Sequence, residues 1–200
     1  MERKTQTGYL ILADISGYTS FVAQTEIEHA GQALSYLLET IVEEIEGLMT
    51  IAKLEGDAVF AYIEENKLED CQLLLTLIDQ TYFAFRDKAL SLYDQAACPC
   101  RACQTLPTLD LKLILHHGEY VLQQVAGIRD LLGTDVNLIH RLLKNGVSES
   151  TGWKGYALFT DQALEHMQCS KDNYFKRCET YEHLGDVYIY CMDMHVRYDR

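Results

Sequence analysis

Apolar residues follow two rhythms along the chain. From Tyr9 to Asp14 they run almost unbroken, Tyr9-Leu10-Ile11-Leu12-Ala13, which predicts a short buried strand. From Thr19 to Gly47 they recur every third or fourth position, with Leu34, Leu37, Leu38, Ile41, Val42 and Ile45 on one face of a predicted helix. Gly31 is a candidate break dividing that segment into two helices, and Gly47 stands where a C-cap glycine would. Leu48 to Leu54 and Ala58 to Ile63 read as strands flanking the corner Glu55-Gly56-Asp57, a hairpin with an acidic tip. A second helical pattern, Lys67 to Tyr93, sets Leu74, Ile78, Tyr82 and Phe85 on one face for packing.

Every periodicity stops between Ala96 and Pro107, which contains Cys98-Pro99-Cys100-Arg101-Ala102-Cys103 and reads as a cysteine-rich loop insertion. Leu109 to Leu115 and Tyr120 to Val125 predict a strand hairpin turning at His116-His117-Gly118-Glu119. Gly133 to Asn145 predicts a helix capped by Thr134 or Asp135 and closed at Asn145-Gly146, followed by a polar loop from Ser148 to Lys154. Tyr156 to Phe159, a helix after Thr160, and strands at Arg177 to Glu182 and Val187 to Met192 complete the chain. No internal repeat or low-complexity segment interrupts it. That order predicts an α+β fold, a ferredoxin-like (palm-type), antiparallel-rich sheet with helices packed on one face, in a single domain over residues 1–200. On such a sheet the first strand and first hairpin lie side by side, so Asp14 and Asp57 become neighbours at one edge.

Composition narrows the partners. With 200 residues, 48% hydrophobic and only two prolines, the chain can bury a core. A formal charge of -13 argues against nucleic acid or an anionic membrane surface, which need clustered Lys and Arg. The polar start and the short apolar run after it predict neither a signal sequence nor a membrane span, and so a cytoplasmic protein. Seven cysteines fit reduced thiols better than a disulfide framework.

The segment Ile11 to Thr19 joins a strand ending in a carboxylate to a turn and a helix. Backbone N–H groups from Ser16, Gly17, Tyr18 and Thr19 can face phosphate oxygens there, and Asp14 can hold the divalent cation that phosphates carry. A turn opened by Asp14, with Thr19 or Ser16 as helix cap, explains the same residues without a ligand. Asp57 at an adjoining strand end adds what a two-metal phosphoryl-transfer site requires.

Four stretches taken together resemble the class III nucleotidyl cyclases, over Leu10 to about Lys144. Leu12-Ala13-Asp14-Ile15-Ser16-Gly17-Tyr18-Thr19 is similar to that family's first metal motif and Lys53-Leu54-Glu55-Gly56-Asp57 to its second. Leu115-His116-His117-Gly118-Glu119 resembles its next hairpin, and the run from Gly133 to Leu142 its signature helix. The resemblance implies that Asp14, Asp57 and the Ile15 carbonyl hold two Mg²⁺ or Mn²⁺ ions per site. It implies that Lys53 and Asp130 read adenine, that Asn137 orients the ribose, and that Arg141 stabilises charge at the α-phosphate. The implied reaction converts ATP to cyclic AMP and pyrophosphate, at sites shared between the two chains of a homodimer. The other reading is a catalytically inactive nucleotide-binding signalling module of the same fold.

The chain departs from the family's pattern in two places. Leu138, Ile139 and His140 fill a gap where the family has small residues, and Tyr181 to Val187 lacks the lysine that grips the triphosphate, leaving Lys171, Lys176 or Arg177 as substitutes. The chain also resembles a bacterial branch of cyclase homologues that shares the cysteine cluster and the ending His140-Arg141-Leu142-Leu143-Lys144-Asn145. Cys98, Cys100 and Cys103 can hold one structural zinc, with His116, His117 or Cys71 as fourth ligand, or remain three reduced thiols; a zinc-stapled interaction domain is the third reading of the chain's function. Apart from a zinc role, His116 and His117 are expected to pack or hydrogen-bond at a strand end.

Overall fold

The first strand, β1 (Thr5–Ser16), has apolar side chains on both faces, which is why its sequence runs apolar rather than alternating. Tyr9, Ile11, Ala13 and Ile15 enter one core and Leu10 and Leu12 another on the opposite face. This computed structural model describes residues 4–200; residues 1–3, the start of the predicted domain, lie outside the described residues. After β1 come α1 (Tyr18–Gln24), α2 (Ile27–Glu46), β2 (Thr50–Glu55), β3 (Ala58–Glu64), α3 (Gln72–Asp94), α4 (Arg101–Thr105), β4 (Asp110–Val125) and β5 (Ile128–Leu132). Then follow α5 (Thr134–Leu142), α6 (Val147–Thr151), β6 (Tyr156–Thr160), α7 (Asp161–His166), β7 (Phe175–Tyr181), β8 (Gly185–Asp193) and α8 (Met194–Tyr198).

The strands form one sheet in the order β2-β3-β1-β4-β6-β8-β7, with β5 paired to β4. Among the described residues only β4 and β6 run parallel; all other pairs are antiparallel. The expected α+β sheet with helices packed on it is therefore the fold. The helices do not all share a face: α2, α3 and α7 cover the larger core, while Val136, Leu138, Ile139 and Leu142 of α5 cover the other. Leu138 and Ile139, which replace the small residues of the cyclase pattern, are the side chains that seat α5 on the sheet.

Four local expectations are corrected. The first long helical pattern breaks at Thr25–Glu26, between α1 and α2, and Gly31 lies inside α2 with open space around it. The cysteine stretch contains the short helix α4, so it is not all loop, and likewise the polar stretch from Ser148 contains most of α6. The hairpin expected at His116–Glu119 does not exist: β4 runs straight through it, and the chain turns at Ala126 and Gly127, with φ of 53° and 85°. Those paired positive φ angles are what a two-residue hairpin turn demands.

The polar residues that looked like a turn are instead buried in mid-strand by partners from elsewhere. His116 is 1% exposed. Its Nδ1 lies 2.8 Å from Thr160 Oγ1 and its Nε2 lies 3.2 Å from Asp135 Oδ1. Asp135 Oδ2 also accepts the Glu119 N–H at 2.7 Å. Donors then run one way, from Ala163 N–H to Thr160, Thr160 hydroxyl to His116 Nδ1, and His116 Nε2–H to Asp135, a tautomer assigned from its partners. Gly118 is required beneath this network, because a Cβ there would meet Asp135 Cγ at 2.4 Å. Neither Thr134 nor Asp135 caps α5; Gly133 takes the N-cap position, and Asp135 ties the helix to β4.

Candidate functional site

Asp14 and Asp57 meet at the sheet edge because β1 and β3 are antiparallel neighbours. Asp14 pairs in register with Ala58, and the Ile15 N–H donates to the Asp57 carbonyl at 3.2 Å. Asp14 shares the face of Leu10 and Leu12, the one on which α5 packs. Burial pushes the Asp14 carboxyl above its usual range, the Asp57 charge adds to that, and Lys112, with Nζ at 3.9 Å from Oδ2, only partly offsets it. Burial also raises Asp57, against its own backbone N–H and Lys112. Two half-buried carboxylates with one lysine between them carry uncompensated negative charge and present hard oxygen donors, the chemistry that suits Mg²⁺ or Mn²⁺.

Neither Ser16 nor Thr19 caps the helix that follows Asp14. Gly17 is the N-cap residue of α1 and makes no side-chain cap bond. Ser16 is buried and spends its hydroxyl on the Lys154 carbonyl at 2.8 Å, while Thr19 is exposed and Tyr18 packs against the larger core. Gly17, Ser20, Arg101, Thr108 and Lys154 line a cavity of about 200 Å³ beside this turn.

Lys53 reaches Asp130 through a bulge that the sequence pattern did not disclose. Ile51 packs on the larger core, so strict alternation would aim Lys53 the same way. The β2–β3 register shifts between Ile51 and Lys53, so that Lys53 lies opposite Phe60 of the α5 face. Lys53 Nζ then lies 3.4 Å from Asp130 Oδ1 and 2.8 Å from Glu55 Oε1. The hydrogen bond to Glu55 is the main influence holding the Lys53 ammonium above its usual range. Burial acts to raise Glu55, but Lys53 and then His140 outweigh it and hold that carboxyl low.

His140 donates from Nδ1 to the Val136 carbonyl at 2.8 Å and meets the Phe60 ring edge-on at 4.8 Å between centroids. Its Nε2 lies 3.0 Å from Glu55 Oε2 without the alignment of a hydrogen bond. Asn137 and Arg141 are both exposed on α5, one helical turn apart. Glu55, Lys112 and His140 are the residues of this neighbourhood that motif reading had not assigned.

The remaining candidates are engaged elsewhere. Lys171 is held by Asp161 at 2.6 Å and Glu165 at 2.9 Å, Arg177 by Glu179 at 2.5 Å, and Lys176 lies over the Tyr188 and Tyr190 rings. All seven cysteines are free thiols. None of the three residues expected as fourth ligand joins the cysteine cluster. His116 is locked to Thr160 and Asp135, His117 stacks on His166 at 3.6 Å, and Cys71 turns to the Met167 carbonyl. The residue beside the cluster is His29, from the first turn of α2. Among the described residues no helix is long and apolar enough to cross a membrane.

Comparison with known proteins bears on the family and the fold. A family profile described as "Protein of unknown function (DUF2652)" matches residues 34–151. An uncharacterised protein of Mycobacterium tuberculosis is 29% identical over 165 residues, covering 80% of this chain and 73% of its own. Among solved structures, the guanylyl cyclase Cya2 matches with a TM-score of 0.75 at 15% identity, over 96% of this chain and 93% of its own. The adenylyl cyclase CyaB from P. aeruginosa matches with a TM-score of 0.61 at 16% identity, over 96% of this chain and 95% of its own. At such identities the likeness shows the fold, that of class III cyclase domains. A fold shared by a guanylyl and an adenylyl cyclase leaves base choice to the side chains.

Proposed function

This chain belongs to the DUF2652 family, and on that premise we propose that it is a cytoplasmic nucleotidyl cyclase homologue that closes ATP to cyclic AMP in a homodimer. The observation that carries the proposal is the Asp14–Asp57 pair, brought together at adjoining strand ends with its negative charge only partly offset. Asp14, Asp57 and the Ile15 carbonyl would hold two Mg²⁺ or Mn²⁺ ions, which supply activation of the ribose 3′-hydroxyl and neutralisation of the triphosphate. In the reaction O3′ bonds to the α-phosphorus, the bridging P–O bond breaks, pyrophosphate leaves, and the hydroxyl proton passes to solvent.

The remaining roles fall to the chain's own side chains. Lys53 donates to adenine N1 and Asp130 accepts from the 6-amino group, a division supported by their 3.4 Å separation. Asn137 orients the ribose and Arg141 meets the charge that develops at the α-phosphate, both from the exposed surface of α5. Exposure of the two suits a site that their chain completes for its partner. Arg101 and Lys154, which line the cavity beside Gly17, take the part of the absent triphosphate lysine.

One observation favours the second reading, a nucleotide-binding module without turnover. Glu55 holds Lys53 at 2.8 Å and would have to yield before that lysine could meet a purine. Incubation of purified protein with each of the four ribonucleoside triphosphates and Mn²⁺, with products identified by mass, separates the two. Cyclic AMP is the expected product. Metal-dependent ATP binding without product would establish the module instead, and absence of both would end the nucleotide reading.

A further inference from the structure

We propose that Cys98, Cys100, Cys103 and His29 form a tetrahedral Zn²⁺ site that fastens the segment between α3 and β4 to the start of α2. One ligand atom from each of the four residues lies within 4.8 Å of all the others. His29 Nδ1 is 3.1 Å from Cys100 Sγ. A tetrahedron with Zn–S bonds near 2.3 Å has sulfur–sulfur edges of about 3.8 Å and a nitrogen–sulfur edge of about 3.6 Å, so the widest separation needs to close by about 1 Å at most and the His29–Cys100 pair to open by about 0.5 Å. The Cys103 N–H points at Cys100 Sγ at 3.4 Å, the backbone-to-sulfur contact of a short C-x-x-C turn.

The fold delivers these residues independently of any ion. Cys100 is the N-cap of α4, the Ala102 N–H donates to Glu26 Oε2 at 3.2 Å, and Glu26 precedes the first turn of α2 that carries His29. The three cysteines are half-buried and His29 is exposed, which leaves an entry path. Three thiolates and one imidazole select zinc over the hard cations suited to Asp14 and Asp57, and a closed set of four protein ligands leaves no open position for catalysis. Arg101, between two of the ligands, lines the cavity beside Gly17, so the metal would set one wall of the region assigned to the triphosphate.

The test needs no nucleotide, so its outcome is independent of the cyclase reading. Protein purified under reducing conditions without chelator, reconstituted with zinc and desalted, should retain about one zinc per chain by elemental analysis. Cobalt in its place should give thiolate charge-transfer bands and the strong visible absorption of tetrahedral coordination. Replacing an outer-shell partner typically costs 10–100-fold in metal affinity, so loss of a direct ligand in His29→Ala should cost roughly a hundredfold or more. His29→Cys should restore binding and Cys178→Ser should leave it unchanged. Cobalt titration of the wild-type apoprotein supplies the same information should a cysteine variant fail to fold. Failure to retain zinc, an octahedral cobalt spectrum, or His29→Ala binding as tightly as wild type overturns the proposal.

Discussion

Asp135→Asn tests how the helix bearing Asn137 and Arg141 is fixed to the sheet. The carboxylate accepts two hydrogen bonds, from Glu119 N–H and from His116 Nε2, and the other ring nitrogen of His116 is already committed to Thr160. An amide offers one acceptor and one donor, so whichever way it is turned its NH₂ faces another donor. Leaving one such group unmade costs about 1–3 kcal/mol. For a chain of this size each kcal/mol lowers the melting temperature by roughly 2–4 °C, giving a fall of roughly 2–12 °C. The His116 hydrogen bond, against the opposing effect of burial, holds the Asp135 carboxyl below its usual range. A carboxylate with a depressed folded pKa contributes stability above its unfolded value, near 4, and loses it as pH falls through the folded one. The gap between wild type and variant should therefore stay constant from pH 8 to pH 6 and narrow progressively below about pH 4. Thermal unfolding followed by circular dichroism across that range measures it. Equal melting temperatures at pH 7, or a gap that persists undiminished at low pH, would refute the one-way hydrogen-bond chain.

Gly118→Ala places a methyl group against Asp135 and should destabilise by about 1–3 kcal/mol, whereas adding Asp135→Ala should recover part of that loss; strictly additive effects in a double-mutant cycle would show the two do not meet. If Lys53 and Asp130 read the purine, wild type should prefer ATP to GTP, and Lys53→Glu with Asp130→Cys should move preference toward GTP; equal use of both nucleotides by wild type removes that assignment. Asp57→Asn and Arg141→Ala should each abolish turnover alone, yet after subunit exchange roughly half the dimers would be mixed, each with one intact site, returning roughly a quarter of wild-type activity. A mixture that stays inactive while a fluorescent label shows exchange means the site is not shared between chains.

The juxtaposition of Asp14 and Asp57 was legible because it depends on strand order alone. Two apolar strands with carboxylates at their ends, placed side by side, bring the pair together whatever the side chains between them do. The β4 strand was misread because its signal is tertiary. His116, His117 and Gly118 look like turn residues locally, and partners from more distant segments, Thr160, Asp135, Glu65 and His166 among them, make their burial possible. The true turn at Ala126-Gly127 lacks the Asn or Asp that usually announces one. His29 escaped for a similar reason, since it lies 71 residues from Cys100 and only the packing of α2 against α4 joins them.

Lys53 marks the limit of motif reading at the site itself. Its identity could be read from the segment it shares with Asp57, but the face it occupies could not, because the shift between Ile51 and Lys53 reverses the alternation that would have placed it. Regular alternation beyond the shift then puts Glu55 on the same face as Lys53, with His140 behind Glu55. The lysine's partners in the free protein are therefore Glu55 and Asp130, and a purine must compete with the nearer of the two. Glu55→Gln removes the charge that holds the lysine while leaving its position on the strand unchanged. Nucleotide affinity that rises in this variant would identify Glu55 as a competitor for the base-reading group. Affinity that falls would mean that Glu55 instead aligns Lys53 for the purine.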